Sequence, residues 1–114
     1  MPIWISQTQG INGYITILDN ATTTGAGASN RLIGGGRVTI EAYGTTTAGA
    51  GAASVSIEVS NNGQTWQTAG TIGLTLGTTQ TSDGFLMDAP WIYIRANVTA
   101  ISGTDAKVSV IIAA

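Results

Sequence analysis

Cysteine and histidine are both missing from this chain of 114 residues, and charge is scarce, with four Lys or Arg and six Asp or Glu. Without Cys there is no disulfide framework, no thiolate nucleophile and no cysteine-based zinc site. Without His, the side chain most often used for proton transfer near neutral pH and most often bound to metals is gone. No apolar run approaches the roughly 18 residues that suggest a membrane helix. The net charge is −2 and the isoelectric point is near 4.5. The four cations, Arg31, Arg37, Arg95 and Lys107, are too few and too scattered for a phosphate-binding footprint. The opening residues, Met1-Pro2-Ile3-Trp4-Ile5-Ser6-Gln7, contain no basic region followed by an apolar stretch and a cleavage site. These shortages predict a protein made in a cytoplasm that binds neither nucleic acid nor membrane. They also predict that it uses no cofactor or metal and acts by binding or assembly, not by catalysis.

What the chain has in quantity is alternation. Val38, Ile40 and Ala42 alternate with Arg37, Thr39, Glu41 and Tyr43, and Val55, Ile57 and Val59 alternate with Ser54, Ser56, Glu58 and Ser60. Period-two patterning of this kind predicts half-buried strands. The second strand ends at Asn61-Asn62-Gly63-Gln64, where the Asn-Gly pair suits a tight hairpin. A return strand is expected to begin at Trp66. Further strands are expected over residues 71–76, with Ile72, Leu74 and Leu76 inward, and over 84–87. After Pro90, residues 91–98 read as the most apolar strand, with Ile92, Ile94, Ala96 and Val98 inward and Trp91, Tyr93, Arg95 and Asn97 outward. A turn at Ser102-Gly103-Thr104-Asp105 leads into an alternating segment over 106–112, expected to pair with the strand before it. Segments 3–6 and 13–18 complete the set, and no window has helical spacing with caps.

The fold class expected is all-β. It is an antiparallel β-sandwich of about seven or eight strands, with jelly-roll connections as one way to join them. Residues 1–12 read as an N-terminal arm or edge strand, and 13–114 as a single sandwich domain. Two stretches of small uncharged residues, 20–29 and 44–52, read as surface loops or as segments that order against a neighbouring subunit.

Candidate sites are few. Gly34-Gly35-Gly36 precedes a strand and not a helix, so it reads as a bend and not a phosphate loop. Asp83 and Asp88 are close enough in sequence to share a calcium ion, although each also suits a turn. Glu41 and Glu58 fall on exposed strand faces, where pairing with Arg37 or Arg95 contributes under about 1 kcal/mol. Two sequon matches, at Asn20 and Asn97, read as coincidence without an export signal. The stretch Ser60-Asn61-Asn62-Gly63-Gln64-Thr65-Trp66 is similar to the Asp-box turn of sialidases, but it lacks the Asp and is one residue short. It therefore reads as a hairpin turn with Trp66 over the sheet.

From Ala53 onward the succession Ala-Ser-Val-Ser-Ile-Glu-Val-Ser-Asn-Asn-Gly-Gln-Thr-Trp, then Ser82-Asp83-Gly84-Phe85, then Asp88-Ala89-Pro90-Trp91-Ile92-Tyr93-Ile94-Arg95, resembles small β-sandwich structural proteins of tailed bacteriophages, including capsid cement (decoration) proteins. That resemblance implies a virion protein on the capsid surface, made in the bacterial host cytoplasm. It implies the major capsid protein as partner and a homo-oligomer, with a trimer favoured. The interface residues expected are Ile3, Trp4, Ile5, Thr22 and Thr46. The hairpin with Trp66 and the Trp91-Ile92-Tyr93-Ile94-Arg95 strand also look like galactose-binding-like sandwiches. This gives the alternative of a tail-associated or receptor-binding carbohydrate module, with Trp66 and Trp91 as ligand-binding residues. An apolar, hydrogen-bonded contact suits a particle that meets water of varying ionic strength, since it is screened less than exposed ion pairs.

Overall fold

The computed structural model describes residues 14–32, 36–88 and 90–113. They form nine strands: β1 (Tyr14–Ala21), β2 (Gly25–Ala26), β3 (Asn30–Arg31), β4 (Arg37–Thr45), β5 (Ala48–Ser60), β6 (Gln67–Leu76), β7 (Thr81–Asp88), β8 (Tyr93–Thr104) and β9 (Lys107–Ala113). A four-stranded sheet runs β1-β9-β4-β7, and a five-stranded sheet runs β2-β8-β5-β6 with β3 also on β8. All pairings are antiparallel, and they nest: β5 with β6, β4 with β7, β2 and β3 with β8, and β1 with β9. The expected antiparallel β-sandwich is the architecture found.

Alternation explains the two layers. Val38, Ile40 and Ala42 of β4, Val108, Val110 and Ile112 of β9, Val55, Ile57 and Val59 of β5, and Ile94, Ala96 and Val98 of β8 are buried between the sheets. Ile72, Leu74 and Leu76 of β6 join them. Each large aliphatic side chain enclosed this way contributes about 1.5–3 kcal/mol relative to exposure. Because the side-chain period is two, the same strands place Ser56, Glu58, Arg95 and Asn97 on the outside of the five-stranded sheet, and Thr39, Glu41, Ile111 and Ala113 on the outside of the four-stranded one.

Several expectations are corrected. The strand expected over 106–112 is present as β9, from Lys107 to Ala113, but β9 does not pair with β8; it lies between β1 and β4 in the other sheet. Alternation fixes which side chains point inward and leaves open which strand is the neighbour. The turn at Asp105, whose φ is +49°, carries the chain across the sandwich. Likewise β7 pairs with neither β6 nor β8 but with β4, so β5 and β6 are the consecutive strands that pair. The return strand expected from Trp66 begins at Gln67 and is continuous with 71–76 in one β6, with a bulge opposite Ile57 and Glu58.

The stretch 44–52 is not a loop. It ends β4, makes a short turn at Thr46 and Thr47, and begins β5, whose hydrogen bonds to strands on both sides compensate for its poor strand propensity. Gly51 is required there, because a Cβ at that position would overlap the carbonyl oxygen of Ser102. Ile92 is also not inward. It is 38% exposed, because β8 starts only at Tyr93 and the Ile92 backbone bonds to the neighbouring crossover, accepting from the Leu32 N–H at 2.7 Å.

Candidate functional site

The inter-sheet connections group at the ends of the sandwich, and this sorts the candidate residues. At one end, the turn between β4 and β5 meets the turn between β8 and β9. The Thr47 N–H donates to the Thr104 carbonyl at 3.0 Å, and the Thr47 hydroxyl donates to Asp105 Oδ2 at 3.0 Å. Thr22 borders the same region, in an open groove with Thr47, Ile101, Asp105 and Lys107. Thr46, expected at an interface, lies within the turn between β4 and β5. It is 3% exposed, its hydroxyl donates to the Gly49 carbonyl at 2.6 Å and its N–H donates to the Gly77 carbonyl at 2.9 Å, so the turn consumes its polar groups. Ile3, Trp4 and Ile5 lie outside the described residues.

At the other end, the loop of residues 61–66 lies beside the start of β8, with the Ile92 N–H donating to Asn61 Oδ1 at 3.4 Å. Trp66 and Trp91 both sit at this end, yet the structure separates them. Trp91 packs against the core, whereas Trp66 lies on the outer face of the five-stranded sheet beneath the Arg95 guanidinium, 4.2 Å from the ring centroid. Two strands hold that arrangement. Glu58 of β5 is directly opposite Arg95 of β8, and its carboxylate accepts from Arg95 Nε at 2.6 Å and from Asn97 Nδ2 at 3.1 Å. Ser56 and Thr68 share a hydrogen bond of 3.3 Å beside it. The outcome is a neutralised, oriented set of one indole, one guanidinium, one carboxylate and one carboxamide on a hydroxyl-lined sheet face.

The loop builds its own scaffold. Ser60 Oγ accepts from the N–H groups of Asn62 and Gly63 at 3.2 and 2.9 Å, and Asn62 Oδ1 accepts from those of Gln64 and Thr65 at 2.9 and 2.8 Å. The Asn-Gly pair does not make the expected two-residue hairpin, because Gly63 takes a positive φ of +75° while Asn62 does not. Side-chain bonds of this Asx and Ser type favour a longer turn.

The two aspartates considered for calcium are held apart. Asp83 and Asp88 lie five residues along one extended strand, a span of about 17 Å at the usual rise, and on opposite faces. Asp83 Oδ1 accepts from the Gly84 N–H at 2.8 Å, and Asp88 pairs with Arg37 at 3.3 Å on the exposed surface. Among the described residues no three of His, Cys, Asp and Glu come together as a metal cluster.

Sequence reasoning missed the outer face of the four-stranded sheet. Tyr14, Ala113, Thr39 and Leu86 fall in one cross-strand row, and its two ends, Tyr14 and Leu86, are 65% and 55% exposed. Half-buried Ile111 lies in the next row, beside Glu41. Two exposed apolar side chains at the edges of one sheet are legible only once the register is known.

No protein-family model matches the chain, and no curated protein matches it. Solved structures do. The SPBc2 prophage-derived protein YomS superimposes with a TM-score of 0.62 at 14% identity, over 91% of this chain and 94% of that one. A CBM4 structure gives 0.51 at 18% identity, over 88% of this chain and 68% of that one. The PBSX exported protein XepA gives 0.51 at 13% identity, over 94% of this chain but 39% of that one. What is shared at these identities is the fold. The match to YomS runs nearly end to end on both sides.

Proposed function

We propose that this protein is a bacteriophage virion structural protein, of the capsid decoration (cement) type, which binds the outer capsid surface as a homo-oligomer. The observation that carries the reading is the near full-length likeness to the prophage-derived YomS, which gives a phage context to a sandwich so poor in ionisable groups. The nested strand pairs support a jelly-roll reading, a plan that viral capsid domains use. The contact surface assigned is the outer face of the four-stranded sheet, where Tyr14 and Leu86 stand exposed. Its occupant is the capsid shell. A trimer would hold the shell through several such faces at once, so that a weak single contact becomes a strong joint one. Mean hydropathy of +0.25 with ten charges in the chain fits a surface that is partly covered in use.

The test is to image purified particles with and without the protein. Regular density over the head at high copy number supports the reading, and density at the tail tip alone sinks it.

A second reading is favoured by one specific observation. The outer face of the five-stranded sheet presents Trp66 with Arg95, Glu58 and Asn97 already oriented, and the fold is also that of a CBM4 structure. As a tail-associated carbohydrate module, the protein would recognise sugar hydroxyls through Asn97 and Arg95 beside the indole. A shift in tryptophan fluorescence on adding an oligosaccharide, lost in Trp66→Ala and kept in Trp91→Phe, would favour this second reading over the first.

A further inference from the structure

The loop of residues 61–66 contains Asn62 followed by Gly63, a pair in which the asparagine side chain is open to attack by the next backbone nitrogen, because glycine places no side chain in the way. In that reaction the Gly63 nitrogen bonds to Cγ of Asn62, the bond from Cγ to the amide nitrogen breaks, and ammonia leaves with the proton lost from Gly63. A cyclic imide results. Water then opens the imide at one of its two carbonyls. The product is either Asp or the isomer whose main chain runs through the side chain.

Both reacting groups are held in the folded loop. The Gly63 N–H donates to Ser60 Oγ at 2.9 Å. Asn62 Oδ1 accepts from the N–H groups of Gln64 and Thr65 at 2.9 and 2.8 Å and from the Ser60 hydroxyl at 3.1 Å. The Asn62 N–H donates back to Ser60 Oγ at 3.2 Å, and Ser60 is 1% exposed. This is the arrangement of a capping side chain, with the carboxamide oxygen drawn toward the residues that follow. For the Gly63 nitrogen to turn onto Cγ, its bond to Ser60 and the bonds at Oδ1 must open together.

We infer that Asn62 is a latent modification site, a self-deamidating asparagine kept intact by Ser60. The isomerised product adds a methylene to the main chain at the point where the loop is fastened to β8. Asn61 holds the Ile92 N–H there, and Gly63 faces the ring of Tyr93, whose nearest atom would lie 3.6 Å from a Cβ on the glycine. Modification therefore loosens the end of the sandwich that carries Trp66, under either functional reading.

The experiment incubates the full-length protein at mildly alkaline pH, folded or in urea, and follows the peptide containing Asn62 by mass spectrometry together with an isoaspartate assay. The unfolded chain is expected to convert at Asn62 at least about tenfold faster than the folded one, since the folded rate is set by local opening. Folded Ser60→Ala converts several-fold faster than folded wild type, while the two unfolded chains convert alike. Equal rates in folded and unfolded wild type overturn the inference, and that comparison needs no variant. Equal rates in folded Ser60→Ala and folded wild type overturn the role of Ser60.

Discussion

Glu58 and Arg95 occupy directly opposed positions on β5 and β8, and their side chains meet at 2.6 Å with 13% and 26% of their side-chain surface exposed. This is a half-buried pair, and the guanidinium does a second job over the Trp66 ring. Arg95→Ala is expected to destabilise the fold by about 1–3 kcal/mol, between the values for exposed and buried pairs, because it leaves Glu58 with Asn97 as its remaining partner and uncovers the indole. Urea denaturation checks the stability, and a red shift of tryptophan emission checks the uncovering. Arg37→Ala provides the contrast. Its pair with Asp88 is 71% and 80% exposed, and its loss should change stability by less than about 0.5 kcal/mol.

Thr46→Val tests whether that residue serves its own turn. The substitution keeps the volume and removes the hydroxyl that bonds Gly49 in an enclosed site. A loss of about 1–2 kcal/mol in chemical denaturation is expected, with no change in oligomeric state. A variant as stable as wild type but defective in assembly would instead place Thr46 in an interface.

Much of this architecture could be read from the residues, and the limit has a physical origin. Val55-Ser56-Ile57-Glu58-Val59 states both that a strand exists and which side faces inward, because side chains alternate whatever the neighbour is. The partner of a strand depends on how the chain crosses between layers, and for β9 that crossing runs through the turn at Asp105, of which the alternation carries no signal. The segment from Gly44 to Ala52 misled for a related reason. Its composition is that of a linker, and only the two flanking strands, set by distant residues, make it the start of the central β5. At the candidate site, the pairing of Glu58 with Arg95 was one of the options open from sequence, while the row joining Tyr14 to Leu86 needed the register of three strand pairs.

Gly51→Val addresses that central strand. A side chain there would overlap the Ser102 carbonyl and part β5 from β8 over their small-residue halves. The expected result is a loss of more than about 3 kcal/mol or failure to accumulate as folded protein, read by thermal melting of the soluble fraction. Gly73→Ala serves as the control. Gly73 lies on β6, where a Cβ meets nothing within 4 Å, so melting should be nearly unchanged.

Leu86→Asp bears directly on the proposed docking face. Leu86 lies on β7 with more than half its surface in solvent, so the substitution removes little burial and should leave chemical stability within about 0.5 kcal/mol of wild type. A charge placed in an apolar contact must be desolvated without a partner, which is costly enough to release the contact. The expected outcome is a folded protein that no longer co-sediments with heads stripped of it. Tyr14→Asp, at the far end of the same cross-strand row, should act in the same way. Thr75→Asp, exposed on the outer side of the opposite sheet, should bind as wild type does. If Thr75→Asp abolishes co-sedimentation and Leu86→Asp does not, the docking face is the five-stranded sheet, and the row from Tyr14 to Leu86 plays no part in attachment.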